Sequence, residues 1–133
     1  MPLKRFSISL EDEILNDLEK LVESHKFSTR SQAVRFLIKQ HLVQDQWGGN
    51  EEVAGAIVLV YDHHKRNLQS ESTEVQHRYH HLILAVQHVH LNHDNCLETI
   101  TVKGKAKELI TLANDLISLK GISHGKLVMS SVE

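Results

Sequence analysis

Residues 82–103 read LILAVQHVHL, then NHDN, then CLETITVK, and this stretch decides the fold of the chain. Two apolar runs rich in β-branched residues flank a short segment of turn-forming residues, which is the pattern of a β-hairpin. We therefore predict one strand over 82–91 and a second strand over 96–103.

The predicted hairpin carries three candidate metal ligands, His88, His90 and Cys96. Side chains two residues apart on a strand share a face, so both imidazoles point to one side. If the chain turns back through 91–95, the thiol of Cys96 lies opposite His90 on that same face. Two nitrogens and one sulfur suit nickel, copper or zinc better than magnesium or calcium. The alternative is a polar strand face beside a cysteine that is simply buried.

The sequence on either side of the hairpin completes an α+β domain. The run Val53–Tyr61 is almost entirely apolar, as in a strand covered on both faces. A helix follows it and ends near His80, and a second helix is predicted over Lys105–Lys120. The run Ile122–Val128 forms the last strand. The order β-α-β-β-α-β is the ferredoxin-like arrangement.

The N-terminal segment has a different pattern of strand, helix and helix. Apolar and polar residues alternate over residues 5–10, which is the period of a half-buried strand. An amphipathic helix follows, and the capping box Thr29-Arg30-Ser31-Gln32 predicts the start of a second helix. A glycine-containing linker is expected over 43–52. The predicted domains are therefore 1–46 and 53–133.

The predicted N-terminal strand has no partner within its own segment, so we expect it to pair with the same strand of a second copy. The resulting antiparallel ribbon fits the major groove of DNA, and helix N-termini offer amides to phosphates. The alternative is an ordinary sheet edge with a solvated outer face. The candidate DNA contacts are Arg5, Ser7 and Ser9 for base edges, and Ser28, Thr29, Arg30 and Arg35 for phosphates.

Composition excludes several classes of protein. A chain of 133 residues with 41% hydrophobic residues and a formal charge of −2 is neither disordered nor polycationic. Its single cysteine cannot form an internal disulfide, which favours a reducing compartment. With no apolar signal-peptide run and no apolar stretch long enough to span a membrane, we expect a cytoplasmic protein. The 11 histidines are compatible with metal chemistry.

Two motifs together resemble a known family. The segment Thr29-Arg30-Ser31-Gln32-Ala33-Val34-Arg35, behind a strand and a helix, resembles the second-helix signature of the dimeric ribbon-helix-helix DNA-binding proteins. Joined to His88-Val89-His90-Leu91-Asn92-His93-Asp94-Asn95-Cys96, it resembles the nickel-responsive regulators, the NikR family, over essentially the whole chain. The resemblance implies an ACT-like C-terminal domain in a homotetramer that is a dimer of dimers. It also implies a regulator, not an enzyme, that binds a palindromic operator in double-stranded DNA and represses nickel-uptake genes.

The resemblance further implies one Ni(II) per subunit, held in a square-planar site at the tetramer interface. The implied ligands are His88, His90 and Cys96 of one subunit and His77 of another. Lys65 and Arg66 precede the helix of His77, so a metal that orders this helix makes the basic pair available to DNA phosphates.

Gln32 and Phe36 depart from the family pattern, because relatives often carry acidic residues there that help to bind a second, harder cation. A phenylalanine cannot coordinate, so we expect no such accessory site. The remaining C-terminal histidines are expected at the surface or beside the ligands, without a metal role of their own: His63, His64, His80, His81, His93 and His124.

Two other functions remain possible from the residues alone. One is a metal-dependent hydrolase with Glu98 as general base, although the DNA-binding segment has no purpose in such an enzyme. The other is an ACT-like regulator that senses a small metabolite.

Overall fold

The computed structural model describes residues 2–133, and the chain divides into two compact units. The first unit ends at His41 and the second spans Leu42–Glu133. The first unit contains α1 (Asp12–Ser24) and the beginning of α2 (Arg30–Gly48). No helix in the described part of the chain is long and apolar enough to cross a bilayer.

Nearly all apolar side chains of the first unit are exposed or only half-buried. Phe6 is 75% exposed and Ile8 is 66% exposed, and α1 has no buried residue. Among the described residues of this unit only Ala33 is buried. The predicted strand over 5–10 is not formed in the single chain, because a strand needs a hydrogen-bonded neighbour and none is present here. Exposed apolar surface of this kind is typical of an interaction site.

The predicted capping box at the start of α2 is formed in part, because Thr29 caps the helix but the Gln32 side chain reaches back to Ser28 and not to the N–H of Thr29. The backbone N–H of Gln32 donates to the Thr29 hydroxyl at 3.1 Å, and the N–H of Ser28 donates to the Gln32 side-chain oxygen at 2.8 Å. The Phe36 ring packs 5.3 Å from the Phe27 ring. Gln32 and Phe36 therefore both have structural roles, one in capping and one in packing.

The expected linker over 43–52 is wrong in its first part, because α2 continues to Gly48. The physical reason is Trp47, which is 4% exposed and belongs to the core of the second unit. Its indole N–H donates to the carbonyl of Ser130 at 2.9 Å. Burial of this large side chain outweighs the local preference of the neighbouring glycines for a turn.

The second unit confirms the predicted order β-α-β-β-α-β. Its elements are β1 (Glu52–Asp62), α3 (Leu68–Arg78), a 3-10 turn (His80–Leu82), β2 (Ile83–His90), β3 (Asn95–Lys105), α4 (Ala106–Ile117) and β4 (Ile122–Met129). The strands form one antiparallel sheet in the order β2-β3-β1-β4. The metal-ligand hairpin thus lies at one edge of the sheet.

The core of this unit lies between the two helices and one face of the sheet. Ile57 of β1 is opposite Ile100 of β3, and both are fully buried with Leu109, Leu112 and Leu116 of α4. Each such side chain contributes about 1.5–3 kcal/mol when it leaves water. The same sheet face continues past the core to the end of β2, where it carries the candidate ligands.

Candidate metal centre

Strand register aligns the candidate ligands in two neighbouring rows. His90 of β2 is opposite Cys96 of β3, which is opposite Tyr61 of β1. In the next row on the same face, His88 is opposite Glu98. The turn between β2 and β3 therefore places both histidines and the thiol on one side of the sheet.

His90 and Cys96 approach closely, whereas the donor atoms of His88 do not lie within 4.8 Å of both. The Cys96 sulfur lies 3.4 Å from His90 Nδ1, and the rings of His88 and His90 are 5.5 Å apart with an angle of 28° between their planes. Cys96 is fully buried, whereas both histidines are exposed. The cluster is thus open on the side away from the core, where a further donor can enter.

His63 is a member of this cluster that the sequence analysis placed outside it. Its ring contacts the His90 ring edge-on at 5.2 Å, and the donor atoms of His63, His90 and Cys96 all lie within 4.8 Å of one another. The position of His63 in the sequence could have identified it as a member of the cluster. His63 follows directly after β1, the strand that pairs with the strand of Cys96, so it emerges beside the thiol.

Burial raises the pKa of the Cys96 thiol above its usual value, and the nearby carboxylates of Asp62 and Glu98 raise it further. The metal ligand is the thiolate, so a bound cation must displace the thiol proton. Metal binding at Cys96 is therefore coupled to release of a proton.

Glu98 is a buried carboxylate that connects the sheet to α3. It is 7% exposed and accepts hydrogen bonds from the Tyr61 hydroxyl and the Gln76 amide, each at 3.1 Å. Burial raises the pKa of Tyr61, and the charge of Glu98 raises it further, so the phenol stays a donor. Gln76 immediately precedes His77, so this network fixes the part of α3 from which His77 projects.

His77 is exposed on α3, with its ring 6.0 Å from the ring of His80. Within the part of the chain that the structure describes, His77 is not among the donors that gather around Cys96. That a second copy of the chain supplies His77 therefore stays a prediction. Lys65 and Arg66 are exposed in the loop between β1 and α3.

The candidate DNA contacts of the first unit are at its surface. Arg5, Ser7, Ser9, Ser28, Thr29, Arg30 and Arg35 are all exposed. Three of them already have partners within the unit, among them the Thr29 hydroxyl, which accepts from the backbone N–H of Gln32. The Ser28 amide and hydroxyl both donate to Gln32, and Arg30 forms an ion pair with Glu19. A DNA phosphate competes with these partners for the same donors, while the guanidinium of Arg30 has further N–H groups to offer.

Models of two protein families match the chain. The model described as ribbon-helix-helix protein, copG family, matches residues 4–45, and the model described as NikR C terminal nickel binding domain matches residues 54–130. The chain belongs to the NikR family of nickel-responsive regulators. This membership and the hairpin donors agree on a metal-binding second domain.

Full-length relatives support membership in the NikR family. A protein of Geobacter metallireducens that carries the name nickel-responsive regulator is 47% identical over 96% of this chain and 92% of its own length. A Pyrococcus abyssi protein with the same name is 46% identical over 98% of this chain and 96% of its own. The uncharacterized Thermotoga maritima protein TM1266 shares the fold alone, with a TM-score of 0.54 and 15% identity over 59% of this chain and 98% of its own.

Membership in the NikR family answers two questions that the residues left open. The chain is a transcription regulator with a DNA-binding segment and a nickel-binding domain, and it is not an enzyme. The hydrolase interpretation of Glu98 is therefore wrong, and the buried hydrogen bonds of this carboxylate are consistent with a structural role.

Proposed function

We propose that the protein is a repressor of nickel-uptake genes whose binding to a palindromic operator is promoted by Ni(II). One ion per subunit is held by His88, His90 and Cys96 of one chain and by His77 of another, in a homotetramer built as a dimer of dimers. The protein acts in the cytoplasm, where operator DNA and conditions that keep a lone thiol reduced occur together. The observation that carries the proposal is the close approach of His90 and Cys96 beside His88.

The donor set fits a borderline-soft divalent ion. Metal–nitrogen bonds of about 2.1 Å and metal–sulfur bonds of about 2.3 Å separate neighbouring donors by roughly 3.1–3.6 Å. The 3.4 Å between Cys96 Sγ and His90 Nδ1 falls in this interval. When bound, nickel supplies a rigid link between its ligands, and it takes part in no reaction. A thiolate with imidazoles is a donor set that nickel and copper accept well.

Exposed apolar surface beside the ligands supports assembly with another copy. Leu84 and Val86 of β2 are 64% and 47% exposed, and Val86 lies on the same face of the sheet as His88 and His90. Apolar side chains in such a group usually mark a protein interface. A second subunit on this edge covers these residues and brings its own His77 to the open side of the cluster.

The uncovered first unit supports DNA binding as a dimer. Pairing of residues 5–10 from two chains satisfies their backbone groups and covers Phe6 and Ile8, while Arg5, Ser7 and Ser9 face outward. Nickel favours operator binding only to the extent that it binds the DNA-competent arrangement more tightly. The link that we propose is α3, since His77 near its end binds metal and Lys65 and Arg66 before its start contact phosphates.

The decisive experiment measures affinity for a fluorescent duplex from the region upstream of the protein's own gene. Fluorescence anisotropy is recorded for the full chain without metal and with one equivalent of Ni(II). Tighter binding with nickel is expected for the wild type and for His81→Ala, an exposed histidine outside the proposed ligands. Loss of the nickel effect is expected for Cys96→Ser and His77→Ala.

Binding of the same strength with and without nickel in the wild type contradicts the sensor proposal. Sedimentation of the wild type as a monomer or dimer contradicts the tetramer. Mixing His77→Ala chains with Cys96→Ser chains tests whether the site is shared. If His77 acts across chains, each mixed pair of subunits retains one intact ligand set. If His77 acts within its own chain, no intact ligand set remains.

A further inference from the structure

The end of α3 that carries His77 is tied to the rest of the second unit on two sides. On one side, the Gln76 amide donates to the buried carboxylate of Glu98 in β3 at 3.1 Å. On the other side, the Tyr79 hydroxyl donates to the Asp115 carboxylate in α4 at 2.9 Å. His77 lies between Gln76 and Tyr79 in the chain and is itself exposed. The second tie therefore joins the His77 end of α3 to the other helix of this unit.

Tyr79 is held by its backbone as well as by its side chain. As the C-cap residue of α3, it donates its N–H to the carbonyls of Val75 and Gln76, each at 3.2 Å. Its own carbonyl accepts from the N–H of Leu82 at 2.9 Å, and its ring is half-buried against the core. Helix ends fray, so a residue fixed in this way keeps the last turn of α3 in place.

Asp115 is well supported in α4. It is half-buried, and Leu112 and Leu116 of the same helix are fully buried in the core. A hydrogen bond to a charged carboxylate is shorter and stronger than one between neutral groups. The bond between Tyr79 and Asp115 therefore anchors the end of α3 to a helix that forms part of the core.

We propose that Tyr79 and Asp115 are positioning residues of the nickel site, because their hydrogen bond holds the end of α3 in the place from which the His77 imidazole reaches the ion. Neither residue is a metal ligand. This inference rests on the proposed function, since it requires that His77 binds nickel.

His77 needs such support more than the other proposed ligands do. His88, His90 and Cys96 are fixed by the pairing of β2 with β3, whereas His77 is exposed near the end of a helix. In the proposed assembly it must also reach an ion that another chain holds. Fixing a ligand before the ion arrives lowers the entropy cost of coordination, and loss of a supporting residue weakens metal binding.

Titration of the full chain with Ni(II), followed by the near-ultraviolet absorption of the nickel–thiolate bond, tests the proposal. Tyr79→Phe keeps the ring and removes only the hydroxyl, so the dissociation constant for nickel should rise about 5-fold or more. Asp115→Ala should have a similar effect, and the double variant should bind nickel no more weakly than either single variant, because both changes remove the same bond. Asn114→Ala, at an exposed neighbouring position of α4, is the matched control and should bind nickel like the wild type.

Mixed chains separate the positioning of His77 from a general loss of stability. The reference mixture contains Cys96→Ser chains, which supply His77, and His77→Ala chains, which supply the ligands of the hairpin. Adding Tyr79→Phe to the Cys96→Ser chain should weaken nickel binding, because this chain carries the working His77. Adding Tyr79→Phe to the His77→Ala chain instead should leave the nickel affinity of the mixture unchanged.

The outcomes separate this inference from the proposed function. Equal nickel affinity in the wild type, Tyr79→Phe and Asp115→Ala overturns the inference. Equal weakening in both mixtures also overturns it, since the hydroxyl then acts on the whole unit and not on His77. A reference mixture without a nickel–thiolate band contradicts the shared site of the proposed function, whereas a raised dissociation constant in the unmixed Tyr79→Phe and Asp115→Ala chains still supports the positioning of His77 within one chain.

Discussion

Replacing Glu98 by alanine should destabilise the second unit more than any exposed carboxylate can. Glu98 is 7% exposed and accepts two hydrogen bonds, from Tyr61 and Gln76. A hydrogen bond to a charged group contributes about 1.5–3 kcal/mol net, and a buried donor left without a partner costs about 1–3 kcal/mol. Because the two bonds share one acceptor residue, their effects are not additive. We expect a loss of about 3 kcal/mol in the free energy of unfolding.

Urea unfolding of the metal-free protein, at one fixed concentration because the chain is proposed to assemble, measures this change. For a domain of roughly 60–100 residues, 1 kcal/mol shifts Tm by about 4–8 °C, so Glu98→Ala should lower Tm by about 12 °C or more. Glu98→Gln retains one oxygen acceptor and should lose about 1 kcal/mol. Glu108→Ala, at an exposed position of α4, is the matched control. A loss in Glu98→Ala within about 0.5 kcal/mol of this control would refute the assigned role of the carboxylate.

Three further predictions concern metal, DNA and packing. Burial raises the pKa of the Cys96 thiol, so nickel must displace the thiol proton when it binds. Isothermal titration should therefore show the affinity for nickel falling about tenfold per pH unit as the pH is lowered from 8 to 7. Lys65→Ala combined with Arg66→Ala should weaken nickel-dependent DNA binding and reduce its salt slope by about two, as measured by anisotropy at several salt concentrations; an unchanged slope removes both residues from the interface. Gly55→Ala should lower the free energy of unfolding of the second unit by about 1–3 kcal/mol, as measured by urea unfolding, because the added Cβ collides with the carbonyl oxygen of Val128 in β4. Gly48→Ala is the control, since a Cβ at this position meets only open space and should cause no such loss.

The sequence predicted the second unit well because its elements follow simple periodicities. The hairpin, its turn and the face shared by His88, His90 and Cys96 depend only on alternation along a strand and on a short connection. These local rules do not depend on any partner. Strand β1 was predicted to be covered on both faces, but in the described chain the helices cover one face and the side chains of the other, Ala54, Ala56, Val58 and Val60, are only half-buried.

The parts that the sequence analysis missed depend on contacts between distant segments. His63 enters the thiolate cluster through the pairing of β1 with β3, a register that alternation alone does not reveal. Trp47 extends α2 by packing on the core of the second unit and by donating to Ser130, 83 positions further along the chain, so the local glycines indicated the wrong boundary. The network of Glu98 likewise joins residues from three elements, and its position in a strand suggested only an acidic side chain on a sheet face.

In each unit the single chain lacks one part that the proposed function requires. Residues 5–10 lack a strand partner, and the cluster of His90 and Cys96 is open where His77 does not reach within the same chain. If copies of the chain supply both missing parts, one assembly completes the DNA-reading ribbon and the metal site. The ribbon needs only burial of apolar side chains, which is present without metal. In the proposed assembly, the fourth ligand contributes only when an ion is bound. The binding free energy of nickel therefore stabilises the assemblies in which His77 of one chain meets Cys96 of another.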